Sequence, residues 1–282
     1  MSRTVTPAAT RPPRPEPTPR RAASIRRGRI VAIANQKGGV GKTTTAVNLA
    51  TALAAAGRHV LVIDLDPQGN AGTGLGLGRH DGMANSYQLL LGDTDLETAA
   101  VATAVAGVSL VPSSPDLAGA ELEASRRPQR EALLERAIRS RVGAFDDVLI
   151  DCPPSLNLLT INALVAADRV LVPLQCEFYA LEGLAQLMQT VERVQQALNP
   201  RLVLQGVLLT MYDRRSNLCE QVATDVRRHF GGQVYDTVIP RNVRVSEAPS
   251  HGLPVLLYDR RCAGAQAYTR LAAEILRRAD AG

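Results

Sequence analysis

The chain has 282 residues, of which 45% are hydrophobic but only 3% aromatic, so alanine, valine, leucine and isoleucine must build its core. No apolar run approaches the ~18 residues of a membrane span, and no signal-like apolar stretch follows the N-terminal arginines. We therefore expect a soluble, cytoplasmic protein. The four cysteines are scattered without a CxxC pair, which argues against a disulfide framework or a zinc site.

The net charge of +5 is concentrated at the N-terminus. Residues 1–29 contain eight arginines and one acidic residue, so they carry +7 and the other 253 residues sum to −2. Residues 1–28 are rich in Pro, Arg, Thr and Ala without apolar periodicity, which predicts a disordered tail. The tail is either a solvated extension or a polybasic arm with weak affinity for DNA. A DNA-binding surface on the folded part must come from local clustering of arginines.

From residue 29 onward, short apolar runs alternate with helical stretches, and no linker divides 29–282 into two domains. The predicted strands are 30–35, 59–65, 108–113, 147–152, 169–175 and 204–211, with weaker candidates at 234–239 and 254–258. The predicted helices are 42–56, 117–140 with a break at Pro128, 157–167, 180–198, 217–230 and 263–280. This alternation predicts an α/β fold: a doubly wound, mainly parallel sheet of about seven to eight strands with helices on both faces.

The stretch NQKGGVGKTTT, at residues 35–45, lies between a predicted strand and an apolar-periodic helix. Glycines let successive backbone N–H groups point at an anion, and the helix N-terminus adds its positive end. In this context Lys42 is predicted to contact the β- and γ-phosphates of a nucleotide, and the Thr43 hydroxyl to bind Mg²⁺.

The loop departs from the usual GxxxxGK[ST] pattern, because Gln36 occupies the first glycine position and Lys37 follows it. With this lysine the loop resembles the deviant Walker A motif, KGGxGK[ST][ST], of the ParA/MinD family of P-loop ATPases. The resemblance implies that Lys42 serves the ATP of its own subunit, while Lys37 crosses a dimer interface to the partner's ATP and offsets charge repulsion there. The loop residues expected to bind nucleotide are Lys37, Gly38, Gly39, Val40, Gly41, Lys42, Thr43 and Thr44.

Acidic residues end two of the predicted strands. Asp64 and Asp66 stand two residues apart in a segment that also reads as a solvated turn. Resemblance to ParA proteins matches Asp66 to the switch aspartate that positions or activates the attacking water, whereas Asp64 either supports the loop or contacts Mg²⁺ through water. Asp151 ends its strand as a Walker B carboxylate does, so we expect it to hold Mg²⁺ through a water. The predicted catalytic residues are Lys37, Lys42 and Asp66, and the predicted metal contacts are Thr43, Asp66 and Asp151.

Three further segments, at 173–184, 208–218 and 239–259, resemble chromosomal ParA/Soj partition proteins, so the similarity covers essentially the whole chain beyond the tail. Arg215 and Arg244 match positions through which Soj-type proteins bind DNA. Nearby arginines either widen this basic surface or are ordinary solvated charges; they are Arg214, Arg227, Arg228 and Arg241.

Because the sequence has no recognition-helix signature or aromatic stacking run, we predict sequence-independent binding to double-stranded DNA. A homodimer doubles the phosphate contacts of one subunit, so ATP would control DNA affinity through dimerisation. The resemblance places adenine near Met211, Pro240 and Asn242. It also implies a ParB-type centromere-binding partner that stimulates slow hydrolysis.

Three alternatives stay open. A MinD-like division-site regulator would bind membrane through a C-terminal amphipathic helix, but the apolar stripe of 263–280 is more typical of a core face. An iron–sulfur ATPase needs paired thiolates, which the scattered cysteines do not offer. A DNA scaffold that senses nucleotide without hydrolysing it is disfavoured by Asp66. We therefore predict a cytoplasmic, nucleoid-associated ParA/Soj-type ATPase that uses ATP and Mg²⁺ and does not bind membrane.

Overall fold

The structure is a computed structural model that describes residues 28–78 and 82–280. The predicted disordered tail, apart from Gly28, lies outside the described residues. The strands are β1 (Arg29–Ile33), β2 (Val60–Asp64), β3 (Val101–Ala102), β4 (Val108–Val111), β5 (Asp147–Asp151), β6 (Arg169–Gln175) and β7 (Val203–Thr210). The α-helices are α1 (Lys42–Ala55), α2 (Asn70–Gly74), α3 (Ser86–Leu91), α4 (Leu96–Ala99), α5 (Leu117–Ala124), α6 (Leu133–Ile138), α7 (Leu158–Ala166), α8 (Ala180–Ala197), α9 (Asn217–Phe230), α10 (Val243–Glu247), α11 (Val255–Tyr258) and α12 (Ala263–Asp280).

All seven strands of the described chain join one sheet in the order β3-β4-β2-β5-β1-β6-β7. Only the short edge pairing of β3 with β4 is antiparallel. Neighbouring residues of β1 face opposite sides: Ile30 and Ala32 pack in a core that includes α7 and α8, whereas Val31 and Ile33 pack against α1 and α12. A strand buried on both faces reads as a continuous apolar run, and the predicted doubly wound fold is confirmed.

The strand prediction at 254–258 is wrong, because this segment contains helix α11. The amides of Leu257 and Tyr258 donate to the carbonyl of Pro254, both at 3.0 Å, and close a helical turn. A short apolar run does not by itself distinguish a strand from a helix. The proline fixes its own φ at a value suited to helix initiation, and no strand of the described residues pairs with the segment.

The strand prediction at 234–239 is also wrong. One isolated bridge joins Val234 to Val207 of β7, and the amide of Ile239 donates to the carbonyl of Leu209 on that strand at 2.8 Å, but the residues between them do not continue the ladder. The amides of Asp236 and Thr237 donate instead to the carboxylate of Glu274 on α12, each at 3.0 Å. A distant side chain thus supplies the hydrogen bonds that a neighbouring strand would have supplied.

The predicted helix over 117–140 is interrupted around Pro128, as expected: α5 ends at Ala124 and α6 begins at Leu133. Besides α11, four short helices were not indicated by the sequence pattern: α2, α3, α4 and α10. Within residues 28–78 and 82–280, no helix has the length and hydrophobicity required to cross a bilayer.

The sheet register brings the three predicted site segments together. Ile33 at the end of β1 pairs with Asp151 at the end of β5, and Asp151 pairs with Asp64 at the end of β2. The loop after β1 and the two acidic strand ends therefore lie side by side at the carboxyl edge of the sheet, where ligands bind in open α/β folds.

Candidate active site and arginine surface

The loop between β1 and α1 owes its shape to two glycines. Gly39 and Gly41 have φ values of 75° and 89°, which other residues rarely adopt. A Cβ added at either position would meet no atom of the described residues within 4 Å, so the space in front of the loop is open. Gly41 is also the residue from which α1 starts, because its carbonyl accepts the amide of Thr45 at 2.9 Å. This is the geometry that the sequence predicts for a phosphate-binding loop.

Lys42 is buried at the start of α1, and its Nζ donates to the carbonyl oxygen of Lys37 at 2.9 Å. Burial lowers the pKa of Lys42, and the carboxylate of Asp151 is the largest influence that opposes this shift. The ammonium therefore lies inside the loop and close to the acidic end of β5, where a phosphate group would meet a desolvated positive charge.

Asp64 organises the turn that follows β2. Its buried carboxylate accepts the amide of Asp66 at 3.0 Å and that of Ala71 at 3.1 Å. Burial, followed by the nearby charge of Asp151, raises the pKa of Asp64 well above its ordinary value. Of the two roles considered for Asp64, these bonds favour support of the loop.

Asp151 is fully buried, and neither of its carboxylate oxygens has a well-formed hydrogen bond within the described residues. Burial raises its pKa to about 7, while the adjacent Thr43 hydroxyl and the Lys42 ammonium act in the opposite direction. Buried acceptors without partners are rare in folded proteins and require a specific explanation. An oxygen-coordinated cation or its water shell near Thr43 and Asp151 fits this arrangement.

Asp66 lies in the turn that Asp64 organises. One of its carboxylate oxygens accepts the amide of Gln68 at 3.0 Å, and its carbonyl accepts the Ser113 hydroxyl at 2.6 Å. The side chain is almost buried but still borders the open space in front of the phosphate loop. It is therefore fixed by its own turn and directed at the same cavity as the loop.

The cavity in front of the loop has a volume of about 380 Å³, and a second one of about 240 Å³ adjoins it. The predicted site residues that line the first are Gly38, Gly39, Gly41, Lys42, Thr43, Thr44, Asp66 and Met211. Pro240 and Asn242 line the second, which Met211 also borders. Val40 lines neither cavity; it is buried, and its carbonyl accepts the Thr210 hydroxyl at 2.8 Å.

Lys37 lies outside both cavities. Its ammonium forms an ion pair with Glu177, which follows β6, and about 45% of its side chain is exposed. Beside this pair, Phe178 and Tyr179 stand in the solvent with their rings edge to face, 5.1 Å between centroids. The two lysines of the loop thus point to different surroundings: Lys42 inward and Lys37 toward the surface.

The predicted DNA-binding arginines belong to an exposed group that we call the arginine surface, formed by Arg214, Arg215, Arg241 and Arg244. The segments that carry them are adjacent, since the amide of Arg241 donates to the carbonyl of Tyr212 at 3.1 Å. Arg227 and Arg228 lie apart in sequence, in the last turn of α9, where Arg228 is 3.9 Å from Asp225.

Arg215 and Arg244 both contact carboxylates of their own chain. Arg215 donates through Nε and Nη2 to the two oxygens of Asp213, at 3.0 and 2.9 Å. These bonds lower the pKa of Asp213 to about 2. Arg244 donates to Glu247 at 2.9 Å, and its Nε lies 3.7 Å from Asp259.

Comparison with known proteins places this architecture in a family. A family model described as an AAA domain matches residues 28–204. The chromosome partitioning protein ParA of Caulobacter vibrioides is 61% identical over 253 residues, 89% of this chain and 94% of that protein. The sporulation initiation inhibitor protein Soj of Bacillus subtilis is 53% identical over 248 residues, 88% of this chain and 98% of that protein.

This chain belongs to the ParA/Soj family. Among solved structures, a cobyrinic acid a,c-diamide synthase from Mycobacterium smegmatis with bound ATP analogue and magnesium is 41% identical and has a TM-score of 0.79. The alignment covers 90% of this chain and 96% of that one. The sequence resemblance to the family is therefore confirmed, as is the doubly wound, mainly parallel α/β fold.

Two asparagines near the cavities have structural roles that the ParA/Soj sequence pattern did not predict. Asn35, within the loop motif, donates to the carbonyl of Pro173 at 2.8 Å and accepts the amide of Lys37, so it ties the loop to β6. Asn48 on α1 accepts the amide of Val255 at 2.8 Å and holds the α10–α11 region over the cavity. Motif context could have indicated Asn35, whereas no local signal marks Asn48.

Proposed function

We propose that this ParA/Soj-family chain is an ATPase that dimerises around ATP and Mg²⁺, binds duplex DNA as the dimer, and leaves DNA after hydrolysis. The observation that carries the proposal is the convergence of Lys42, Thr43, Asp66 and Asp151 around one glycine loop, with Lys37 exposed beside it. Desolvated positive and negative groups arranged in this way suit a magnesium-bound triphosphate.

Within one subunit, Lys42 would exchange the Lys37 carbonyl for the β- and γ-phosphates. Thr43, Asp66 and Asp151 would hold Mg²⁺ directly or through water, and the bound ion would neutralise charge on the phosphates. Asp66 would orient the attacking water, supported by the turn that Asp64 anchors. Met211, Pro240 and Asn242 border the adjoining cavity and would contact adenine there.

Between subunits, Lys37 would contact the partner's nucleotide. This contact requires the ion pair with Glu177 to open, and an exposed pair of this kind contributes only about 0–1 kcal/mol. The exposed Phe178 and Tyr179 next to it would become buried in the same interface. Lys37 would thus leave Glu177 only when both the nucleotide and the partner subunit are present.

DNA binding would use the arginine surface. Arg215 and Arg244 would contact backbone phosphates without reading bases. A dimer presents two such patches, so its affinity for DNA would be much higher than that of one subunit. We further propose that a basic segment of a ParB-type protein stimulates hydrolysis, which would release DNA at the partner's location on the nucleoid.

A sedimentation experiment tests the dimerisation step. Asp66→Ala should form dimers with ATP and Mg²⁺ but not with ADP, because hydrolysis no longer removes the triphosphate. Adding Lys37→Ala to this variant should return the protein to single chains while leaving ATP binding intact. Single chains of Asp66→Ala in saturating ATP and Mg²⁺ would overturn the proposal.

Two further measurements address the alternatives. Phosphate release that stays at background with DNA and a ParB-type partner would favour a scaffold that senses nucleotide without hydrolysing it. ATP-dependent flotation with anionic liposomes would favour a MinD-like membrane protein. We expect stimulated phosphate release and no flotation, since the apolar face of α12 is buried in the core.

A further inference from the structure

The arginines proposed to contact DNA already form ion pairs with carboxylates of their own chain. We infer that Asp213 and Glu247 compete with DNA phosphates for Arg215 and Arg244, and so keep the DNA affinity of a single subunit low. The inference rests on the proposed function and adds to it the residues that set the strength of DNA binding. It concerns the acidic neighbours, which the family resemblance left without a role.

Arg215 contacts Asp213 with the same paired hydrogen bonds that an arginine uses to bind a phosphate. Two guanidinium nitrogens meet two carboxylate oxygens at 3.0 and 2.9 Å, although 89% of the Arg215 side chain is exposed. Such parallel bonds are the strongest that an arginine makes to a carboxylate or a phosphate. A DNA phosphate that binds through this fork must therefore displace Asp213.

The displaced carboxylate would stay close by. Asp213 also accepts the backbone amide of Arg215 at 3.0 Å, and the Ser216 amide donates to its carbonyl at 3.1 Å. These bonds hold Asp213 in a local turn whether or not the guanidinium is engaged. The carboxylate would then face the incoming phosphate with like charge, which adds repulsion to the competition.

Arg244, on the neighbouring segment, also contacts acids of its own chain, but through a single hydrogen bond. Glu247, one turn later in α10, accepts its Nη1 at 2.9 Å, and the Tyr258 hydroxyl donates to the same carboxylate oxygen at 3.4 Å. Asp259 is the second acid near this arginine. Both arginines therefore exchange one anion for another when they bind DNA, and the net free energy from each exchange is small.

Small free energies from each phosphate make DNA binding depend on the number of phosphates bound. A single subunit binds too few to stay on DNA at physiological salt, whereas a dimer adds two patches through one binding event. The acids would thus sharpen the difference between the free chain and the ATP-bound dimer. Their removal should strengthen both forms and make single chains bind measurably.

Asp213→Asn provides the test, because the asparagine side-chain oxygen can still accept the Arg215 amide and preserve the turn. Duplex-DNA affinity would be measured by fluorescence anisotropy, with a non-hydrolysable ATP analogue and Mg²⁺ and also without nucleotide. We expect affinity to rise about two- to fivefold per patch, the range of an exposed ion pair. The log–log salt slope should steepen by about 0.9 for each additional phosphate that the variant neutralises.

Glu97→Gln is the matched control. It makes the same change in net charge at another exposed ion pair, Glu97–Arg141, in a different part of the chain, and should leave DNA affinity unchanged. A double variant, Asp213→Asn with Arg215→Ala, should lose the increase in affinity, because the effect acts through that arginine. Glu247→Gln should reproduce the increase through Arg244.

The outcomes separate this inference from the function on which it rests. If the wild type binds DNA with the ATP analogue but Asp213→Asn and Glu247→Gln match Glu97→Gln, only the competition is overturned. If the wild type binds no DNA in any nucleotide state, the proposed function fails and the inference fails with it.

Discussion

The phosphate loop and the arginine surface both depend on charged groups, but they hold them in opposite environments. Around the loop, Asp64 and Asp151 are fully buried and Lys42 nearly so. On the arginine surface, Arg215 and Arg244 are exposed and balanced by acids of the same chain. Buried charges interact strongly and are hardly screened by salt, whereas exposed ones are weak and salt-sensitive.

The two environments suit two different proposed tasks. The loop region keeps desolvated carboxylates in place, and Asp151 among them has no well-formed hydrogen bond within the described residues. This costs stability and would provide the proposed cation and phosphates with a site of fixed geometry. The arginine surface keeps its charges solvated, which would suit the proposed binding of DNA without sequence preference. Substitutions in the first region should therefore have large effects that depend on geometry, and those in the second small effects that depend on salt.

The largest effect is expected for Lys42→Ala. Loss of the buried ammonium should weaken binding of an ATP analogue on the order of 100-fold, because a charge-assisted contact inside the loop disappears. Titration calorimetry with Mg²⁺ would measure it. Lys37→Ala is the control, expected to keep affinity within about threefold, since its side chain lies outside the cavity. Equal losses in both variants would contradict the division of roles between the lysines.

Asp151→Asn should stabilise the fold while it weakens Mg²⁺-dependent nucleotide binding. The folded-state pKa of about 7 lies above the ordinary value of 3.8, so the folded wild type binds a proton more tightly than the unfolded chain. Wild-type stability therefore falls as pH rises from about 4 to 7, and asparagine does not titrate. We expect the variant to gain roughly 1–3 kcal/mol at pH 8 and nothing at pH 3.5.

Chemical denaturation in EDTA, without nucleotide, at these two pH values would check this prediction. The same stabilisation at both pH values would show that packing, and not the buried charge, causes it. With an ATP analogue and Mg²⁺, the wild type should gain more thermal stability than the variant, because a ligand that binds more tightly stabilises the folded state more.

Much of the fold could be predicted from the sequence because the central strands are buried on both faces. The central residues of runs such as 147–152 and 169–175 are apolar on both faces, and these runs form β5 and β6. The failures lie where pairing depends on distant residues. Nothing within 234–239 signals that Glu274 on α12 will receive its amides. Similarly, 254–258 is apolar enough for a strand, but no strand of the described chain pairs with it, and its amides close a helical turn on Pro254.

The candidate site was likewise predicted from the sequence only in part. Motif spacing predicted several of the residues that border the cavity, because Lys42 and Thr43 are held at the helix start and Asp66 follows β2, which ends at the same edge of the sheet. The predicted Lys37 and Val40 border neither cavity. The sequence pattern could not predict which side chains form ion pairs. The contact between Lys37 and Glu177 joins residues 140 positions apart, and side-chain orientation decides whether Arg215 holds Asp213 or faces solvent.

Arg244→Ala tests the exposed region. We expect DNA affinity of the ATP-bound dimer to fall about tenfold, because one phosphate is released from each of two patches. The salt slope should become shallower by about 0.9 for each phosphate released. Anisotropy measured from low to physiological salt would provide both values. Nucleotide affinity should stay unchanged, and a parallel loss there would mean that the two regions are not separate.

Arg228→Ala should have the smallest effect on DNA binding. Its guanidinium lies 3.9 Å from Asp225, too far for a hydrogen bond, and it projects from α9 as a solvated charge. Removing it lowers the net charge as much as Arg244→Ala does, so a purely electrostatic surface would respond equally to both. We expect DNA affinity within about 1.5-fold of the wild type at physiological salt, where screening suppresses distant charges. A loss equal to that of Arg244→Ala would mean that total charge, and not the placement of particular arginines, determines how this chain holds DNA.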